Sequence, residues 1–303
     1  MASKLKTAFV CNECGSDYRK WQGQCTDCNA WNTLSEVKVN ATPHGISRHQ
    51  HSFSGASSGS INLLKDVELD EVPRVKSGNS ELDLVLGGGF VPGSCVLLGG
   101  EPGAGKSTIL LQTLCHMAQN ETALYVTGEE SSQQVAMRAR RLDLPLDKLQ
   151  IMTETSVENI CLVAKGKTPR LLVVDSIQVV HLEDITSAPG SVSQVRESAA
   201  ALVRFAKQTN TILIIVGHVT KDGTLAGPKV LEHMIDCSLM LEGRKDSQYR
   251  TLRGIKNRFG AVNELGVFAM TERGLKGVPN PSAIFLQRNE EVSSGSIVVV
   301  IWE

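Results

Sequence analysis

The 303-residue chain predicts an α/β domain with a mainly parallel central sheet, preceded by a small four-cysteine metal ribbon. Three observations carry this. Two Cys-x-x-Cys pairs stand within the first thirty residues. From about Ile61 onward, short apolar runs alternate with segments of helical spacing. Residues Gly100 to Ser107 read GEPGAGKS, the G-x-x-x-x-G-K-[ST] spacing of a phosphate-binding loop, set between a strand-like run and a helix-like one.

Bulk composition narrows the class. Hydrophobic content of 41% and charged content of 21% describe a soluble globular protein. No apolar run approaches the roughly 20 residues of a membrane span. The start, MASKLKTAFVCNEC, lacks the apolar core of a signal peptide, so a cytoplasmic protein with no membrane partner is expected. A formal net charge of −1 leaves no global basic field, and any nucleic-acid binding must come from local patches.

The ribbon is expected over residues 1–35. Cys11 and Cys14, then Cys25 and Cys28, lie ten residues apart and can present four thiolates tetrahedrally to Zn²⁺. A single pair would leave a redox dithiol open; two pairs favour a closed structural site. Phe9, Tyr18, Trp21 and Trp31 are expected to form a small aromatic cluster. Zinc would supply the remaining stability, on the order of 10 kcal/mol. Cys95, Cys115, Cys161 and Cys237 lie in apolar stretches and read as small core residues.

Residues 36–65 are expected to be a flexible linker, because Asn40 to Ser60 is rich in Ser, Gly and His without apolar periodicity. Its His44, His49 and His51 have nothing nearby to order them as ligands. The ATPase-like domain is placed at 66–280 and a carboxy-terminal extension at 281–303. Strands are predicted at Cys95–Leu98, Ala123–Thr127, Leu171–Asp175, Thr211–Val216, Cys237–Glu242, Tyr249–Lys256 and Gly266–Met270. Helices are predicted at Thr108–Gln119, Ser132–Leu142, Val157–Lys165 and Val192–Lys207.

The loop residues each have a part in binding ATP. Gly100, Gly103 and Gly105 let the backbone around Glu101, Pro102 and Ala104 curl its N–H groups inward toward phosphate. Lys106 places a cation at the β- and γ-phosphates, Ser107 can hold Mg²⁺, and Thr108 opens the helix whose N-terminus meets the anion. Strand, helix and a fully filled pattern together argue against a chance glycine-rich turn. Leu171-Leu-Val-Val-Asp175 is a buried strand that carries a carboxylate to the same sheet edge, where Asp175 can hold Mg²⁺ directly or through water. Glu129 and Glu130 end another strand and are both candidates to orient the attacking water; a solvated surface turn is the alternative. Lys256-Asn-Arg-Phe-Gly260 follows a strand. The residues alone leave open a basic hairpin or, through Lys256 and Arg258, a cation for phosphoryl transfer.

Taken together, these motifs resemble the RadA (Sms) family of bacterial DNA repair proteins within the RecA superfamily. The carrying segments are FVCNECGSDYRKWQGQCTDCNAWNTL, GGEPGAGKST, YVTGEES, VVDSIQ, PGSVSQVRE, GHVTKDGTLAGPKVLEHMID, KNRFG and Asn280 to Ser282, which span nearly the whole chain. The resemblance implies a RecA-like fold and a DNA-stimulated, helicase-like ATPase. It implies binding of single-stranded and branched DNA, a homo-hexameric ring, a recombinase partner and branch migration in recombination. It also assigns the four cysteines to zinc, Gly100 to Ser107 to ATP, and Lys256 and Arg258 to a family motif. Members continue into a domain resembling the Lon protease fold, whereas this chain stops at Glu303, so a truncated chain is expected.

Two polar, glycine-containing stretches, Glu183–Gln194 and Lys221–Lys229, sit at strand ends. By pattern alone they are ordinary connections or DNA-gripping loops, and the resemblance points to DNA. Lys221 and Lys229 are the candidate phosphate contacts, while Glu183 and Asp184 make the first stretch the poorer candidate. A nucleotide-switched interaction module with slow, DNA-independent hydrolysis is the competing reading.

Overall fold

A computed structural model of the chain describes residues 6–11, 16–39, 73–219, 225–226, 230–243 and 247–281. The ribbon comprises β1 (Lys6–Cys11), β2 (Asp17–Tyr18) and β3 (Leu34–Val39), with β1 central and antiparallel to both neighbours. Strand β3 runs to Val39, past the boundary expected at residue 35, because pairing with β1 continues to Lys6. The expected aromatic cluster is divided. Phe9 and Tyr18 pack against Cys11, Cys25 and Leu34, whereas Trp21 and Trp31 are 58% and 69% exposed. A sheet this small, with cysteines filling its interior, has room for two rings and not four.

The remaining elements run α1 (Ser80–Val85), β4 (Cys95–Gly100), α2 (Lys106–Met117), β5 (Ala123–Thr127), α3 (Ser132–Arg141), β6 (Gln150–Thr153), α4 (Val157–Lys167) and β7 (Leu171–Asp175). They continue through α5 (Val192–Thr209), β8 (Ile212–Val216), β9 (His218–Val219), β10 (Leu225–Ala226), α6 (Val230–Met234), β11 (Cys237–Glu242), β12 (Tyr249–Asn257), β13 (Leu265–Thr271) and β14 (Gly274–Gly277). Nine of these strands form one sheet in the order β14-β13-β12-β11-β4-β8-β7-β5-β6. From β11 to β6 every pairing is parallel; β12, β13 and β14 add an antiparallel edge.

The strand alternation explains the layers. In β7, Leu171 and Val173 face one core while Leu172 and Val174 face the other; in β8, Ile212 and Ile214 oppose Leu213 and Ile215. Helices α1, α2 and α3 cover the first face, and α4, α5 and α6 cover the second. Both faces are buried, so the central strands read as continuous apolar runs.

Helix starts are dictated locally. Ser131, Ser156 and Ser191 cap α3, α4 and α5 through their hydroxyls, and Ser131 completes a capping box with Gln134. Helix α2 has no side-chain cap and begins at Gly105, with φ 108°. Its first N–H groups are left for an anion. No helix among the described residues is long and apolar enough to cross a membrane.

Three of the four domain cysteines are buried, and Cys161 is half-buried. Burial pushes the Cys115 and Cys161 thiols up to about 11 and Cys237 to about 12, and raises Cys95 further still. A thiol near 11 is less than about one part in a thousand thiolate at neutral pH. Alkylation of the native chain followed by mass spectrometry should therefore spare these four residues. Chelation of zinc should expose the ribbon cysteines to the reagent and leave the four untouched. Labelling of Cys95 or Cys237 in the folded chain would contradict their place in the core.

Candidate functional site

The phosphate loop hangs from β4, whose six residues are all buried. Gly100 passes so close to β11 that a Cβ there would lie 2.4 Å from the Leu241 carbonyl oxygen. Gly105 needs its positive φ, which an L side chain resists. Glu101, Pro102 and Gly103 are exposed, Ala104 is buried, and Ser107 and Thr108 are half-buried. Lys106 is buried, and its Nζ donates to the carbonyl oxygens of Gly100 at 2.6 Å and Glu101 at 3.0 Å. Burial pulls its ammonium below the usual lysine range, opposed by the carboxylates of Asp175 and Glu129. A buried cation resting on neutral carbonyls is well placed to receive phosphate oxygens.

Asp175 ends β7 at the same edge. Its Oδ2 accepts from Ser107 Oγ at 2.9 Å and from the Tyr125 hydroxyl at 2.6 Å. Burial, then the Asp175 charge, pushes the Tyr125 hydroxyl well above its ordinary range, so it remains a donor. Two oxygens on adjacent vertices of a Mg²⁺ octahedron stand about 2.9 Å apart. The Ser107–Asp175 pair fits that ion.

The two glutamates diverge. Glu129 accepts from Ser176 Oγ, beside Asp175. Glu130 is gripped by both guanidinium nitrogens of Arg138, one at 2.7 Å. That bond raises the Arg138 pKa. Both residues were sequence candidates; geometry keeps Glu129 by the phosphate loop and commits both oxygens of Glu130 to α3.

Lys256 and Arg258 are held far from this edge. Arg258 donates to Asp236 Oδ1 and to the His233 carbonyl, each at 3.0 Å. Lys256 donates to the carbonyls of Ile235, at 2.9 Å, and Glu232. Asn257 turns the other way, donating to the Leu86 carbonyl and accepting from the Phe259 N–H. Asp236 is almost fully buried, and its Oδ2 also accepts from Lys207 Nζ and the Cys95 N–H, each at 3.0 Å. The Arg258 cluster thus sits at the Cys95 end of β4, whereas the phosphate loop leaves at Gly100. Five strand steps, about 17 Å, separate them.

In the ribbon, the sulfurs of Cys11, Cys25 and Cys28 lie within 4.8 Å of one another. Cys11 and Cys28 are 3.6 Å apart, too far for a disulfide. The spacing is close to the 3.8 Å or so expected for two sulfurs on one tetrahedral zinc. Hydroxyls of Thr33 and Tyr18 lie 3.2 Å from Cys11 Sγ and Cys25 Sγ, fit to steady thiolates. Cys14, Lys221 and Lys229 lie outside the described residues, as does the expected linker from residue 40 onward.

Sequence reading missed Tyr125, Ser176, Arg138 and Asp236. The available signal is a hydroxyl inside an apolar strand for Tyr125 and a carboxylate directly before one for Asp236, since each needs a partner when buried. Ser176 and Arg138 left no such signal.

The geometry separates three variants. Lys106→Ala should abolish turnover and weaken ATP binding. Glu129→Gln should keep ATP binding and lose about 10²-fold or more in turnover. Glu130→Gln should hydrolyse ATP within a few-fold of the parent while losing about 1 kcal/mol of stability. Steady-state hydrolysis and thermal melts check all three, and equal losses for the two glutamates would contradict their division.

Residues 64–224 match the AAA domain family, and residues 9–36 match the rubredoxin metal binding domain. The DNA repair protein RadA of Escherichia coli K12 is 61% identical over 305 residues, covering 100% of this chain and 66% of that protein. RadA of Haemophilus influenzae is 62% identical over 303 residues, covering 100% of this chain and 66% of that protein. RadA of Bacillus subtilis is 45% identical over 302 residues, covering 99% and 66%. The chain thus spans about two thirds of these curated relatives' length. The crystal structure of a KaiC-like protein from Pyrococcus horikoshii shares the fold, with a TM-score of 0.59 at 23% identity, covering 69% of this chain and 100% of its own. With its RecA-like sheet, phosphate loop and cysteine ribbon, the chain belongs to the RadA family of bacterial DNA repair proteins.

Proposed function

We propose that the chain is the ATP-hydrolysing, DNA-engaging part of a motor of recombinational repair. It would act as a ring of six on single-stranded and branched DNA and promote branch migration alongside a recombinase. One observation carries the reading: Lys106 and Arg258 lie toward opposite ends of β4, so one subunit holds the phosphate loop and carries a half-exposed arginine, seated on Asp236, at its far edge. A site assembled between neighbours would use both. Kinship with the RadA proteins supports the DNA substrate.

The chemistry follows from the residues. The open N-terminus of α2 accepts the phosphates, and Lys106 exchanges its carbonyl partners for phosphate oxygens. Ser107 and Asp175 would hold Mg²⁺, which would supply positive charge against the phosphates. Glu129, released from Ser176, orients the attacking water and accepts its proton. Arg258 from the adjoining subunit supports the charge that develops on the transferred group. Lys256, whose ammonium is lowered first by desolvation and then by Arg258, holds α6 and the turn in place. Lys221 and Lys229 are assigned to DNA phosphates.

Hydrolysis should rise on adding single-stranded DNA and fall at protein concentrations where rings dissociate. Arg258→Ala should retain ATP binding and lose about 10³-fold in turnover. DNA affinity should weaken as salt rises, with a slope shallower by roughly one unit for each of Lys221→Ala and Lys229→Ala. Slow hydrolysis indifferent to both DNA and concentration would replace the motor with a nucleotide-switched interaction module.

A further inference from the structure

We infer that Trp21 and Trp31 form a stacking site for unpaired nucleic-acid bases on the outer face of the zinc ribbon. The inference deepens the reading that the chain engages single-stranded DNA and rests on it. The chain has three tryptophans, and two of them stand on this ribbon with 58% and 69% of their surface exposed. The ribbon's interior closes without them, around Cys11, Cys25, Leu34, Phe9 and Tyr18. Large exposed aromatic surface on so small a module marks a contact site.

The rings form one surface. A Cβ built on Gly23 would lie 3.8 Å from Trp21 Cη2 and 3.8 Å from Trp31 Cζ3. Both six-membered rings therefore converge over a residue that has no side chain to cover them. The backbone beneath is fixed by the metal knuckle. Gln24 and Trp31 form an antiparallel bridge, the Asn32 N–H donates to the Gly23 carbonyl at 2.7 Å, and the Cys25 N–H donates to the Ala30 carbonyl at 2.9 Å. A platform ordered in advance loses little entropy when a flat ligand settles on it.

Charge selects the ligand. Arg19 and Lys20, both exposed, directly precede Trp21 and can reach phosphates beside a stacked base. Aromatic faces next to paired cations suit a nucleic-acid strand better than an apolar peptide. Duplex bases already stack on one another, so the platform is suited to single strands. The ribbon also supplies what the ATPase domain's candidate DNA stretches lack, since neither Glu183–Gln194 nor Lys221–Lys229 contains an aromatic residue. In this scheme Lys221 and Lys229 hold phosphates and the ribbon holds bases.

The test uses the zinc-loaded full chain carrying Trp302→Phe, so that emission comes from the ribbon pair alone. Titration with an oligothymidylate should quench that emission saturably. Adding Trp21→Ala and Trp31→Ala should leave zinc content unchanged, reduce oligonucleotide affinity about tenfold or more, and preserve the salt slope, because stacking releases no counterions. Trp21→Phe with Trp31→Phe should restore much of the affinity. Oligonucleotide binding without quenching, or with full affinity in the double alanine variant, would overturn the stacking site while leaving the DNA reading intact. Failure of the parent chain to bind the oligonucleotide would overturn both. Loss of zinc from the double alanine variant would move the decision to the phenylalanine pair, whose emission-independent affinity must then exceed that of a Lys20→Ala, Arg19→Ala variant, or the site falls.

Discussion

The buried carboxylate of Asp236, seated at the start of β4, is the contact on which the far edge of the sheet depends. A charge this deep is tolerated only when its oxygens are satisfied. The Cys95 N–H and Lys207 Nζ meet one oxygen, and Arg258 meets the other. Backbone bonds reinforce the join, from the Asp236 N–H to the Cys95 carbonyl and from the Arg258 N–H to the Asp236 carbonyl. β4, β11, α5 and the KNRFG turn are thereby tied at one point. The clasp also takes in the carbonyls that end α6, which follows the Lys221–Lys229 stretch in the chain.

The opposite end of β4 is organised by the same rule with a different outcome. Asp175 is also nearly buried, and its oxygen is met by the hydroxyls of Ser107 and Tyr125, both of them neutral. Lys106 and Glu129 complete the local set. Among the described residues this set holds one cation, Lys106, facing two carboxylates. One end of β4 thus carries a carboxylate met by neutral hydroxyls and the other a carboxylate met by cations, and the strand's own length keeps them apart.

Much of this was legible in the chain because buried parallel strands are unambiguous. Ala123–Thr127, Leu171–Asp175 and Cys237–Glu242 occur with the expected bounds, since each is an apolar run ended by a polar residue. α1, β6 and β14 were not expected. α1 is six residues long, β6 is an edge strand with mostly exposed side chains, and β14 reads Gly-Leu-Lys-Gly, so none shows a period. Ser107 and Asp175 meet as their patterns suggest, one from the fixed spacing of the loop and the other from a carboxylate ending an apolar strand. Glu129 and Glu130 look alike in sequence because adjacency hides direction; Arg138, eight residues on, draws Glu130 toward α3. One cluster of all four aromatic residues is the natural expectation for Trp21 and Trp31 because composition reports how many rings a ribbon has, not how many fit inside it.

The most direct measurement of the proposed shared site mixes two variants expected to be inactive, Lys106→Ala and Arg258→Ala. In mixed assemblies some interfaces pair an intact phosphate loop on one subunit with an intact Arg258 on the next. Partial recovery of ATP hydrolysis, rising and falling with the mixing ratio, is the predicted result. Absence of recovery in assemblies shown by mass to contain both variants would contradict it and return Arg258 to a purely structural role at Asp236.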